Sequence, residues 1–236
     1  MLQIEHLTKT YGALRAVDDL SLTVAPGDLY GFIGHNGAGK TTTLRCVAGI
    51  LAFDGGSIRI GGKSIVEDPL GCKRDMAYIP DNPDLYDHLT GIQYLNFVAD
   101  IYGVSAGDRE SRIKRYGDAF EMTDRLNDLI GACSHGMKQK IAIISALIHQ
   151  PKLLLLDEPF VGLDPRAAHI LKGYMRQICD EGGAIFFSTH VLEVAEKLCD
   201  KVAIIKNGRL VAAGPMEAVK GDSSLEELFL ELTDHA

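Results

Sequence analysis

Short apolar runs bounded by turn residues recur along the chain. In "LSLTVAPGDLYGFIG" two such runs flank Pro26 and Gly27, which predicts two strands joined by a turn. In "GGSIRIGGKSI" Ile58 and Ile60 alternate between glycine pairs, the period of a short ribbon strand. "DMAYIP" predicts a strand stopped by Pro80 and the turn-rich "DNPD". From Thr90 the period lengthens: Thr90 can cap a helix carrying Ile92, Leu95, Val98 and Ile101 on one face, and Ile113, Tyr116 and Phe120 mark a second, more polar helix. Strand-like runs return in "KLLLLDEP", "GAIFFSTH" and "KVAIIKNGRLVAAG", the last a hairpin about Asn207 and Gly208, with helices predicted over 165–180 and 191–198. The tail "SLEELFLELT" sets Leu225, Leu228, Phe229 and Leu232 on one helical stripe.

Strands alternating with helices predict an α/β core with a mainly parallel sheet, into which 90–148 is inserted as a helical segment. The length of 236 residues suits one sizeable core with a smaller lobe, and 46% hydrophobic with 24% charged residues is ordinary for a globular chain. A formal charge of −8 is opposite to the basic footprint of a protein that grips nucleic acid, so no nucleic-acid partner is expected. Cys46, Cys72, Cys133, Cys179 and Cys199 form no CxxC pair, which reads as reduced thiols of a cytoplasmic protein. The N-terminus lacks an apolar h-region, and "CVAGILAF" and "IAIISALI" are too short to span a bilayer.

Chemistry concentrates in "GHNGAGKT" at 34–41, which fits GxxxxGK[ST] between a predicted strand and the helix "KTTTLRCVAGI". The glycines let several backbone N–H groups turn toward phosphate oxygens, helped by the helix N-terminus. Lys40 would reach the β- and γ-phosphates of a nucleotide, and the Thr41 hydroxyl would hold Mg²⁺. "LLLLDE" is a buried strand ending in Asp157, placed to hold the Mg²⁺ shell, and Glu158, placed to orient an attacking water.

With these motifs the chain resembles the ATP-binding subunits of bacterial ABC transporters over residues 2 to about 214. The resemblance implies a P-loop NTPase (RecA-like) core over 1–89 and 149–214, with an N-terminal antiparallel β subdomain. It also implies an inserted α-helical subdomain over 90–148 and a C-terminal helical tail over 215–236. Tyr11 in "KTYG" matches the aromatic that stacks on adenine, and Gly34, Asn36, Gly37, Ala38, Gly39, Lys40, Thr41 and Thr42 match the ATP-holding loop. Asp164 in "GLD" matches the D-loop, and His190 in "STHVLE" matches the switch histidine that contacts the γ-phosphate, so the implied catalytic set is Glu158, His190 and Lys40.

"CSHGMKQK", residues 133–140, looks by itself like a nucleophile beside its base. The resemblance places it at the signature motif, where Ser134 and Gly136 are kept and would bind the γ-phosphate of ATP held by another subunit. His135 departs from the consensus and is left without assigned chemistry. Asp81 stands where the family usually has glutamine; it either ligates Mg²⁺ with a side chain about 1.5 Å shorter or only makes an Asx turn before Pro83. Similar segments occur in exporter-type, Ecs-like cassettes. The expected protein is therefore an ATP-hydrolysing subunit that dimerises, with itself or a second cassette, around two Mg-ATP. It would work with a transmembrane permease at the inner face of the cell membrane, where Leu85, Tyr86 and Leu89 could help form the docking cleft. Alternatives are a non-transport ABC ATPase acting on nucleic acid or ribosomes, and a weakly hydrolytic nucleotide switch.

Overall fold

The computed structural model describes residues 1–234. In chain order the elements are β1 (Leu2–Tyr11), β2 (Leu14–Val24), β3 (Leu29–Ile33), α1 (Lys40–Val47), β4 (Gly55–Ile60), β5 (Lys63–Ser64), α2 (Pro69–Asp75) and β6 (Met76–Ile79). Then come α3 (Gly91–Ile101), α4 (Ala106–Ala119), α5 (His135–Ile148), β7 (Leu153–Asp157), α6 (Pro165–Asp180), β8 (Ala184–Thr189) and α7 (Leu192–Leu198). The chain continues through β9 (Lys201–Lys206), β10 (Arg209–Pro215), α8 (Met216–Lys220) and α9 (Leu225–Asp234).

Two sheets account for the strands. One, ordered β2-β1-β4-β5, is antiparallel; the other, ordered β10-β9-β3-β8-β7-β6, runs β3, β7, β8 and β9 in parallel and closes with the antiparallel hairpin partner β10. Every residue of β3, β7 and β8 is buried, which is why these strands read as unbroken apolar runs rather than alternating ones. The two strands flanking Pro26 and Gly27 are present, but they enter different sheets, so the turn is a crossover and not a hairpin.

The chain divides into two compact units. The first comprises Met1–Tyr78, Lys152–Pro159 and Met175–Ala236; its core joins Leu2, Ile4 and Leu20 of the antiparallel sheet to Phe32, Leu44, Leu155 and Phe186. The second comprises Ile79–Pro151 and Phe160–Tyr174 and carries α3, α4 and α5. There Thr90 caps α3 in a full capping box with Gln93, as its position predicts. Of the predicted row Leu95 is fully buried and Ile92 and Val98 are half-buried, but Ile101 is 63% exposed, and Gly91 and Ala99 complete the buried face. Three steps of three residues drift off a 3.6-residue period, whereas 91, 95 and 99 follow it more closely. On α4, Ile113 and Tyr116 are buried and Phe120 follows at the helix end, as read.

Candidate functional site

Neighbouring parallel strands end at one edge of the large sheet, and their last residues carry the polar chemistry of the first unit. Register pairs Ile33 with Thr189 and Asp157 with Ser188, which brings the loop after β3, the end of β7 and the end of β8 together. The loop 34–39 curls because Gly37 and Gly39 take φ of +82° and +111°, which side-chain-bearing residues rarely adopt. A Cβ on Gly39 would sit 2.4 Å from the Ala16 carbonyl, and one on Gly34 would sit 2.6 Å from the Ile205 carbonyl. Only glycine lets the backbone lie that close to its neighbours.

The loop is buttressed from outside the motif. The Gly208 N–H donates to the Ala38 carbonyl at 2.9 Å, and the Asp18 N–H donates to the Gly208 carbonyl at 2.9 Å. Thus the Asn207-Gly208 turn, legible as a hairpin turn, also braces the phosphate loop, a role that its local sequence does not reveal.

Lys40 is 7% exposed, and its ammonium donates to the Gly34 carbonyl at 2.6 Å and the His35 carbonyl at 3.3 Å. Its Nζ also lies 3.6 Å from Glu158 Oε1. The other Glu158 oxygen, Oε2, is 3.0 Å from His190 Nδ1 and accepts from the His190 N–H at 3.4 Å. Glu158 itself has φ of +48°, a left-handed backbone held by its N–H donating to Ser188 Oγ at 3.1 Å and to the Ser188 carbonyl at 3.2 Å. The predicted set Lys40, Glu158 and His190 therefore converges.

Asp157 is 1% exposed; Oδ1 accepts from Ser188 Oγ at 2.5 Å, while Oδ2 is buried with no hydrogen-bond partner among the described residues. A buried carboxylate oxygen with nothing to bond is costly, and a divalent cation or a water bound to one is the partner its chemistry suits. Ser188, which ties Asp157 to Glu158, went unseen in the sequence, because only the strand register brings it opposite Asp157. Thr41, Thr42, Asn36 and Tyr11 belong to the same unit; Tyr11 is half exposed, with the Lys9 ammonium 5.4 Å from its ring centroid.

Asp81, Ser134, Gly136 and Asp164 belong to the second unit. Ser134 is the N-cap of α5, its Oγ accepting from the Met137 N–H at 3.3 Å. Burial pushes the Cys133 thiol above its ordinary range, and its Sγ lies 3.5 Å from the Leu129 carbonyl. The thiol is thus inert packing, and Ser134 serves the helix start, so the stretch is no nucleophile-base pair. His135 gains a role that its sequence context left open: a Cβ on Gly162 would meet its ring at 2.5 Å, so the Cδ2 side of the imidazole lies against the loop leading to Asp164. Asp164 caps α6 through the Ala167 N–H at 2.8 Å and pairs with Lys140 at 2.7 Å. Asp81 is exposed in the loop after β6.

Residues 17–161 match the model of the "ABC transporter" family. The chain is 37% identical over 99% of its length to the "ABC-type transporter ATP-binding protein EcsA" of Bacillus subtilis, covering 96% of that protein. It is 35% identical over 91% of its length to the "Linearmycin resistance ATP-binding protein LnrL" of Bacillus subtilis, covering 69% of that protein. A solved structure described as "Structure of ATP binding subunit of ABC transporter" superposes with a TM-score of 0.95 at 36% identity, covering 99% of each chain.

Proposed function

Because the chain belongs to the ABC transporter family of ATP-binding proteins, we propose that it hydrolyses Mg-ATP in a head-to-tail pair and drives export through a separate permease. The observation that carries this is the convergence of Lys40, Glu158 and His190 beside the partnerless Asp157 Oδ2. Gly34, Asn36, Gly37, Ala38, Gly39, Lys40, Thr41 and Thr42 hold the phosphates, and Tyr11 faces the adenine. Thr41 and Asp157 would hold Mg²⁺, which would neutralise phosphate charge when bound. Glu158 orients the attacking water, and His190 contacts the γ-phosphate while its ring is held by Glu158.

Ser134 and Gly136 close over ATP bound to the other copy, and Asp164 belongs to the same face of the second unit. Loss of the γ-phosphate removes the differential affinity for the closed pair and releases it. For the permease the second unit offers Tyr86, Phe97 and Ile101, which are 50%, 43% and 63% exposed, with the Tyr86 ring in edge contact with Phe97 and Tyr94. Among the described residues no helix is long and apolar enough to cross a membrane; the chain's place in this reading is beside the permease at the cytoplasmic face. Export is favoured by the similarity to a protein named for linearmycin resistance.

Phosphate release from Mg-ATP by the purified chain tests the reading. Wild type should turn over, chelation of Mg²⁺ should stop it, and Glu158→Gln should keep ATP binding while cutting the rate about 10²-fold or more. Near wild-type turnover by that variant would remove Glu158 from its role.

A further inference from the structure

The phosphate loop meets one element that lies far from it in sequence. Phe229, on α9, is 6% exposed, and its ring centroid lies 4.6 Å from that of His35 at an interplanar angle of 60°. His35 is the second residue of the loop. Its carbonyl accepts both the Lys40 ammonium at 3.3 Å and the Ala38 N–H at 3.1 Å, so its main chain is joined to the ammonium and to the loop's own turn.

Helix α9 is fixed independently of that contact. Leu225 is fully buried and its N–H donates to Glu196 Oε2 at 3.2 Å, while Lys206 Nζ donates to the Leu232 carbonyl at 3.3 Å. Glu196 sits on α7, the helix that starts just after His190, and Lys206 ends β9, next to the Ile205 carbonyl that hems in Gly34. One helix thus touches the crest of the phosphate loop, the strand behind it and the helix that follows the histidine.

We infer that Phe229 is a positioning residue for nucleotide binding, acting through His35 to hold the crest of the phosphate loop and the carbonyls on which Lys40 rests. A loop with two glycines at positive φ has much freedom to lose when it closes on phosphate. An edge-to-face ring contact from a docked helix removes part of that freedom before the nucleotide arrives, which strengthens binding without touching the ligand. The inference rests on the nucleotide site proposed above and adds a residue to it from outside the motif.

The test compares Phe229→Leu, Phe229→Tyr, His35→Ala and the Phe229→Leu/His35→Ala pair in the full chain, reading Mg-ATP affinity, KM, kcat and the thermal midpoint. Leucine keeps an apolar group under α9 but removes the ring, so the midpoint should stay within about 3 °C of wild type. ATP affinity should fall about threefold to tenfold, with KM rising more than kcat drops. Phe229→Tyr should restore it, His35→Ala should reproduce the loss, and the double variant should lose no more than either single one. Wild-type affinity in Phe229→Leu, or losses that multiply in the double variant, would overturn the inference alone. Failure of wild type to bind ATP would overturn the nucleotide site and this inference with it. Should Phe229→Leu fold poorly, the exposed His35 ring still decides: unchanged affinity in His35→Ala overturns the coupling.

Discussion

In the first unit, Lys40 and Asp157 at the end of the large sheet are buried, Glu158 is nearly so, and their neighbours hold most of their polar atoms. Lys40 lies on loop carbonyls, Glu158 divides its oxygens between Lys40 and His190, and Ser188 ties Asp157 down. In the second unit, the start of α5 is exposed, and its two nearby cations are already paired, Lys138 with Asp87 and Lys140 with Asp164, both at 2.7 Å. The first arrangement has a buried cation resting on loop carbonyls, a carboxylate beside it and an orphan oxygen, which is what a phosphate group with its metal would engage. The second has a capped helix start and no spare cation of its own among these lysines. It can complete a site for an anion but has little to hold one alone, in keeping with the proposal that its nucleotide belongs to another copy.

Ser134→Arg strains that contrast most. A bulky cation at the cap blocks the second unit's face while leaving the residues of the first unit untouched. ATP affinity of the isolated chain should match wild type, and ATP-driven dimers should disappear on gel filtration in a Glu158→Gln background, where ATP persists. The lost cap should cost about 1 kcal/mol of stability, too little to unfold the chain. Dimers that survive would sink the assignment of Ser134 to the partner's nucleotide.

Gly162→Ala probes how tightly the second unit's loop is set. Gly162 has φ of +77°, and an added Cβ would lie 2.5 Å from the His135 ring. Both the backbone and the contact oppose alanine, so urea unfolding should show a loss of about 1–3 kcal/mol. Adding His135→Ala opens the space and should recover the steric part, leaving the backbone part. A neutral Gly162→Ala would mean that His135 yields easily, and its packing role would fall away.

What could be read beforehand divides along the same line. The phosphate loop, β7 with Asp157 and Glu158, and the β9-β10 hairpin are local patterns, and each lies where its residues put it. Contacts that depend on register or distant backbone were invisible: Ser188 opposite Asp157, Gly208 on Ala38, the Ala16 carbonyl against Gly39. Helix α2 escaped notice because Pro69 and Gly71 read as turn residues, although Asp68 accepts from the Gly71 N–H and Pro69 suits the first helical position. The buried face of α3 was legible at Leu95 but not at Gly91 and Ala99, which give weak apolar signals beside Ile92 and Ile101. His135 looked reactive by composition, and only its neighbour Gly162, distant in sequence, shows that it packs.

The smallest effect comes from Lys140→Met. The Lys140 ammonium, and after it the Ala167 N–H, hold the Asp164 carboxyl below its ordinary value of 3.8. Methionine removes the first influence and keeps the cap. Asp164 is 49% exposed at its side chain, so solvent screens the pair and the loss at neutral pH should stay below about 1 kcal/mol. The sign follows from linkage: a carboxyl whose folded-state pKa is depressed adds stability that is complete above the unfolded value and is lost as pH falls through the folded one. The excess stability of wild type over Lys140→Met should therefore be flat from pH 7 to about 5 and shrink below about 4. Added salt should shrink it at every pH, because the pair is open to solvent. A gap that widened on acidification would mean that Lys140 does not act through Asp164, and the claim that the second unit's cations are already spoken for would lose one of its two supports.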